Sequence, residues 1–419
     1  MTDSPATPFR QFMFPPGHPR IEALKGLDAY EYREVAKAPG TFTGSLVEGW
    51  EPLYLNEFTG VTSNGEIIED LYPLEPAAPG EEAPVADMIA AAENLFAACT
   101  DDELNRLRFA VDAPEWQTWA NPEFMQFDTG LRLEYTSEAV RLAAMSLVRA
   151  SLSEEGFDLT HGMMKINGFL GEVVGLENIL GEFSYNIAVY GTPDPTAPWG
   201  WQLYGHHCAV NCLVVEGRMS LAPVFHGAEP NEIDAGPDAS LRSFDDRVDA
   251  GTDVMALLSD DQRAEAVVFE QIIDPDMPEG RIHPGDERHL AGAFQDNRVI
   301  PYEGVSVSSL EPAARQAVMD LVETFLVIYP EGPRRAKLRE VAEHLDAAHF
   351  CWIGGTEPGD VFYYRFQSPV LIVELDHHCG VFLDYDFPQR FHVHTLMRVP
   401  NGNDYGRDWV RQWQSRSRP

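Results

Sequence analysis

Two blocks of strand-like sequence constrain this chain most: residues 181–230 and residues 349–419, set apart by mainly helical sequence over 56–180 and 231–348. In the first block Phe183–Tyr190 alternates in the manner of a strand, and Trp199–Val215 reads as one long strand. Glu216-Gly217 then turns the chain and Arg218–Phe225 returns as its partner, a β-meander. The second block reads as four strands, Phe350–Ile353, Val361–Gln367, Val370–Asp376 and Phe391–Met397, followed by a tail helix. The expected fold class is α+β: an antiparallel sheet or barrel-like sandwich built from both blocks, with the helical blocks packed outside. Residues 56–419 are expected to form one domain. Residues 1–55, rich in Pro, Gly and aromatics, read as a partly irregular arm packed on the body.

Local signals place the other elements. Asn64-Gly65, between two short β-compatible runs, predicts a hairpin within Phe58–Leu71. Val85–Cys99 and Ser137–Leu152 have helical periodicity, and Thr100 with Glu103 forms a capping box. Ser153 predicts a separate turn ending at Gly156, before a helix over Thr160–Val174. Thr252–Ile273 reads as helix with a break at the Ser259/Gln262 capping box. Ser309 is expected to cap Leu310–Tyr329, with Pro312 in its first turn, where proline is tolerated. Arg335–Ala347 follows, and Asp404 is expected to cap Asp404–Gln414.

Charge excludes some partners. There are 67 acidic against 30 basic side chains, a formal net charge of −37. Such a surface repels nucleic-acid phosphates and anionic membranes. The chain has no uninterrupted apolar run of about 18 residues, so no membrane span is expected. The first residues, MTDSPATPFRQF, do not read as a signal peptide. Five scattered cysteines suggest free thiols in a reducing compartment, and cytoplasmic location is the expectation. Self-association into a homo-oligomer is compatible with all of this.

The chemistry concentrates in Val370–Arg398, which holds four of the 13 histidines with Glu374, Asp376, Asp384 and Asp386. His392 and His394 are two apart, so a strand sends both from one face. His206 and His207 end the Trp199–His207 run beside Trp201 and Gln202. If the hairpin closes at Glu216-Gly217, His226 falls opposite His207. Tyr363, Arg365 and Gln367 share one face of the next strand, close to Glu374 or Asp376. An arginine there is either a buried ion-pair partner or a clamp for an anionic substrate. Imidazoles and a carboxylate gathered from neighbouring strands suit zinc, iron, manganese or copper. The competing readings are a metal-free acid–base site and purely structural histidines. His18, His161, His283, His289, His344 and His349 lie in helix or loop context and read as structural.

Together these stretches resemble a large, poorly characterised bacterial domain-of-unknown-function family. The resemblance rests on Trp-Gly-Trp-Gln-x-x-Gly-His-His at Trp199–His207, Pro-x-Phe-x-Gly-Ala-x-Pro at Pro223–Pro230, and Tyr-Tyr-Arg-x-Gln-x-Pro at Tyr363–Pro369. It continues through Glu374, His-x-His-x-x-x-Arg at His392–Arg398 and the Asp404–Asp408 tail. Gly60-Val61-Thr62, Glu115-Trp116 and Ser151-Leu152-Ser153 extend it into the N-terminal half. Phe391 stands where the family usually has Asn, and His226 where it usually has an apolar residue. The resemblance implies a shared fold and site but no established reaction.

The residues point to a metal-dependent enzyme, a hydrolase or lyase acting on a small, anionic molecule. Its expected divalent metal (zinc, iron or manganese) would take ligands from His206, His207, His392 and His394. Glu374, Arg365 and Tyr363 are the catalytic candidates. Trp201, Gln202, Gln367 and Arg398 are candidates for holding substrate. The alternative is a metal-free binding or scaffold protein with a histidine-rich polar core.

Overall fold

A computed structural model describes residues 8–417. Twelve strands form a single sheet. In chain order they are β1 (Arg108–Phe109), β2 (Leu131–Arg132), β3 (Tyr185–Tyr190), β4 (Trp199–Gly205), β5 (Cys208–Val215) and β6 (Arg218–Ala228). Then come β7 (Val267–Phe269), β8 (Val305–Ser306), β9 (His349–Gly354), β10 (Phe362–Gln367), β11 (Ile372–His377) and β12 (Val393–Arg398). The spatial order is β1-β3-β4-β5-β6-β12-β11-β10-β9-β7, with β2 on β3 and β8 on β9. Neighbours are antiparallel except for the short edge strands β1 and β7, which run parallel to β3 and β9. The sheet is open rather than closed into a barrel. Its two blocks join where β6 meets β12, with His394 opposite Gly227 and Thr395 opposite His226.

The two faces differ in chemistry. On one, Trp201, Leu203, His226, Thr395, Leu375 and Tyr364 meet the helices Glu138–Ser151, Glu154–Val174, Asp245–Leu257 and Pro312–Leu326. The Trp201 indole donates to Ser151 Oγ, and the Tyr364 hydroxyl to the Arg247 carbonyl. On the other, Gln202, Asn211, His394, Arg398, Glu374, Asp376, Tyr363 and Arg365 line up across the sheet. Irregular segments cover that polar face, and their backbone groups satisfy it: Gln202 donates to the Trp116 carbonyl and Gln367 to that of Ile300. Buried side-chain amides and charges need such partners, so this face can be polar and still dry.

Several expectations change in detail. Trp199–Val215 is not one strand: it folds into β4 and β5 about a two-residue turn, His206-His207. His207 adopts left-handed backbone (φ 60°), and Tyr185 Oη and Gly227 N hydrogen-bond the carbonyls of His206 and His207. Downstream, β6 carries one extra residue around Pro223, so the register shifts between Val210 and Cys212. Proline cannot donate to a ladder and is at home in such a bulge. The shift places His226 opposite Cys208 instead of His207, facing the helices, where its Nε2 meets Thr160 Oγ1. Asn64-Gly65 forms a local turn without flanking strands, because Thr62 bridges to Val299 instead. Ser153 caps a continuous helix, Glu154–Val174. Ser309 is not the cap of Pro312–Leu326, which starts after Glu311. Asp404 is buried against Arg398, and the tail helix runs Arg407–Ser417. The arm holds helices Pro19–Glu22, Ala29–Ala36 and Phe42–Tyr54, the last two capped by Asp28 and Thr41. Among the described residues no helix is long and apolar enough to cross a membrane. The five cysteines are unpaired.

Candidate metal centre

Three chain segments converge at the β6–β12 seam. The His206-His207 turn, the His392–His394 run entering β12 and the end of β11 all meet there. His394 Nε2 lies 3.0 Å from His392 Nε2 and 3.1 Å from His207 Nε2. One nitrogen from each of the three rings falls within 4.8 Å of the others, and all three are buried. A single N–H cannot serve two such contacts well, since a neutral imidazole carries one proton. Nitrogens that share a tetrahedral zinc at 2.0–2.1 Å stand about 3.3 Å apart, close to the two separations measured from His394. Gly227 permits this approach: a Cβ there would meet His394 Cδ2 at 2.8 Å and His207 Cδ2 at 3.2 Å.

Neighbouring groups orient the rings. His392 Nδ1 is 3.0 Å from the Tyr385 hydroxyl, which donates to Glu229 Oε1 at 2.8 Å. The hydroxyl's single proton is committed to Glu229, so Nδ1 is the donor and Nε2 presents its lone pair. This is the outer-shell arrangement that fixes a ligating imidazole. Glu229 also accepts the N–H groups of Val381 and Phe382, tying down the loop that carries Tyr385. Burial pushes the Glu229 carboxyl up to about 7 despite these bonds. Desolvation lowers the imidazoles: His392 to about 4, His206 to about 3, and His207 and His394 well below their ordinary range. Rings held neutral at pH 7 are in the ligating form.

His206 stands beside this triad. Its ring stacks on His207 at 3.8 Å, and its Nδ1 donates to Asn167 Oδ1 at 2.8 Å. Both histidines, with His378 and His394, line a cavity of about 630 Å³. The opposite wall comes from the N-terminal arm, including Arg20, Tyr32, Phe42 and Leu46, and from Asn121–Phe124.

The remaining candidates sit around the cluster, outside the cavity lining. Glu374 accepts the Tyr363 hydroxyl at 2.6 Å and the N–H groups of Leu290 and Ala291 at 2.9 and 3.0 Å. Burial alone would raise its carboxyl, but His289, Arg365 and these donors hold it below its ordinary value. Arg365 is opposite Glu374 in the register and pairs with Glu303 at 2.8 Å. Arg398 is fully buried, bonded to Asp296, Asp404 and the carbonyls of Ala291 and Gly292. Gln202 is held by Tyr190, Trp116 and Asn211, and Gln367 by Ile300. Trp201 points to the helix-covered face. Two further histidines lie against the cluster, with rings 6.3 and 3.6 Å from that of His394: His289, read from its loop context as structural, and His378, which the sequence did not single out. His378 had one legible signal, its position two residues beyond Asp376. His289, in an irregular segment, had none.

A family model described as a protein of unknown function (DUF3500) matches residues 81–407. No curated protein and no solved structure matches the chain.

Proposed function

The chain belongs to the DUF3500 family, whose description assigns no function, and from that premise we propose that it is a metal-dependent enzyme, a hydrolase or lyase acting on a small, anionic molecule. The observation that carries this reading is the convergence of His207, His392 and His394, with one nitrogen of each within 4.8 Å of the others and His394 Nε2 about as far from its two neighbours as a shared cation requires. Three imidazoles leave a fourth position open, the pattern of catalytic rather than structural sites. A divalent metal bound there supplies Lewis acidity and a water acidic enough to ionise near neutral pH.

The chain's own residues supply the rest. The cavity beside the triad has room for a small molecule. Arg20 is the cationic side chain in its lining and would orient an anionic group. His206, its Nδ1 proton committed to Asn167, leaves Nε2 as a hydrogen-bond acceptor for a bound molecule. Glu123, hydrogen-bonded to Tyr32 and raised by desolvation, is placed on the cavity wall to donate one. Arg365, Tyr363 and Glu374 act from behind, as a rigid chain of charge and hydrogen bonds, and Arg398 holds the covering segment in place.

Metal analysis of purified protein tests the reading. At least one equivalent of zinc, iron or manganese per chain is expected. A His392→Ala/His394→Ala variant should lose the equivalent held by this triad while its circular dichroism and unfolding remain cooperative. Wild-type protein that carries no metal and takes up none of the three ions when they are added would overturn it. That result would leave the histidines as a polar core of a binding or scaffold protein.

A further inference from the structure

We infer that the centre holds two metal ions, the second bound by His289, Asp376 and His378. This inference rests on the reading of His207, His392 and His394 as the first site. One atom from each of the three new residues falls within 4.8 Å of the others, and all three are buried. Neither ring nitrogen of His289 and not the Nε2 of His378 has a hydrogen-bond partner of good geometry. Buried, unpartnered ring nitrogens are costly unless something fills the space between them.

The third member has the alignment of a ligand rather than of a hydrogen-bond acceptor for its neighbours. Asp376 Oδ2 is 3.2 Å from His378 Nε2, but the two are not aligned for a hydrogen bond. Two donor atoms at that spacing, each aimed past the other, suit a shared cation. Asp376 is itself pinned: Arg288 Nε donates to Oδ1 at 2.7 Å and the Arg288 N–H to Oδ2 at 3.1 Å. The carboxylate also adds the negative charge that the all-histidine first site lacks.

Sheet register brings the two triads together. Asp376 on β11 is the cross-strand partner of His394 on β12. His378, two residues past Asp376, lays its ring 3.6 Å from that of His394 at a tilt of 34°. His289 reaches the same place from the covering segment, which two anchors hold. Glu374 accepts the N–H groups of Leu290 and Ala291, and Arg398 donates to the carbonyls of Ala291 and Gly292. Glu374, the strand-borne carboxylate, is thus a positioning residue for His289. The ligand class is a second divalent cation that accepts imidazole and carboxylate together, such as zinc or manganese. Paired ions of this kind clamp both the attacking and the leaving oxygen of a displacement, which favours the hydrolase alternative.

Metal-stripped protein titrated with Zn(II), then with Mn(II), tests this by stoichiometry. Two equivalents per wild-type chain are expected, and His378→Ala or His289→Ala should bind the second more than about 100-fold more weakly while keeping the first, since even outer-shell changes cost 10–100-fold. A wild-type chain that saturates at one equivalent, unaffected by His289→Ala and His378→Ala but lost in His392→Ala/His394→Ala, overturns the second site and leaves the first. A wild-type chain that binds none overturns both. If the alanine variants do not fold, the manganese-loaded wild type decides: an exchange-coupled electron paramagnetic resonance spectrum supports the pair, and an isolated-ion spectrum contradicts it.

Discussion

Metal-free protein is expected to lose stability as the pH falls below about 6.5, by about 1.4 kcal/mol per pH unit for each proton that the unfolded chain binds in excess of the folded one. Eight buried histidines carry the effect: His206, His207, His226, His289, His377, His378, His392 and His394. Desolvation lowers each, with His377 and His392 brought to about 4 and His206 to about 3. Unfolded chain takes up their protons from about pH 6.5 downward; in the folded chain desolvation opposes that uptake. Their stabilisation is therefore complete above 6.5 and lost as the pH falls below it. Buried carboxyls act in the opposite sense. Burial raises Glu229 and Asp286 to about 7 and Asp404 to about 6, and it also raises Glu123 and Glu287. Folding takes up protons at these five, which partly offsets the eight. Urea unfolding after chelator treatment, at pH 7.5, 6 and 5, reads the slope. A flat profile would mean that the histidines are solvated and the cluster does not form.

The second large effect is expected from Arg398→Ala, a loss of about 3–5 kcal/mol. Arg398 has no exposed surface and feeds four acceptors: Asp296, Asp404 and two backbone carbonyls. Truncation leaves two buried carboxylates beside each other without the arginine that bonds both. It also frees the Ala291-Gly292 backbone that steadies His289, so affinity for the second cation should fall by about 10–100-fold. Arg398→Lys should rescue little, because a lysine cannot reproduce a planar fork with five N–H donors. Chemical denaturation and a metal titration on the same variant check both parts. A cost below 1 kcal/mol would show that the pair is not held away from water as described.

These residues also show what could be read from the chain and what could not. Caps and boxes at Asp28, Thr100, Ser137 and Ser259 are local, and the boxes at Thr100 and Ser259 were legible because the side chain three residues on completes each. The same-side placement of His392 and His394 follows from the two-residue period of a strand, and Arg365 beside Glu374 from a short connection. The His206-His207 turn was hidden because apolar residues continue on both sides without Gly-Pro or Asn-Gly punctuation. What bends the chain there is tertiary: Tyr185 and Gly227 bond its carbonyls. The bulge at Pro223 shifts the ladder by one residue and turns His226 to the other face, an effect that counting residues from the turn cannot foresee. His289 was illegible for a different reason. It sits in an irregular segment whose position is set by Glu374 and Arg398, both more than 80 residues away along the chain.

The most direct measurement is anomalous diffraction from crystals of the protein reconstituted with zinc. The account predicts a peak about 2.0–2.1 Å from Nε2 of His207, His392 and His394 together. Crystals that show no peak there, with the three imidazoles bonded only to one another or to water, would contradict it.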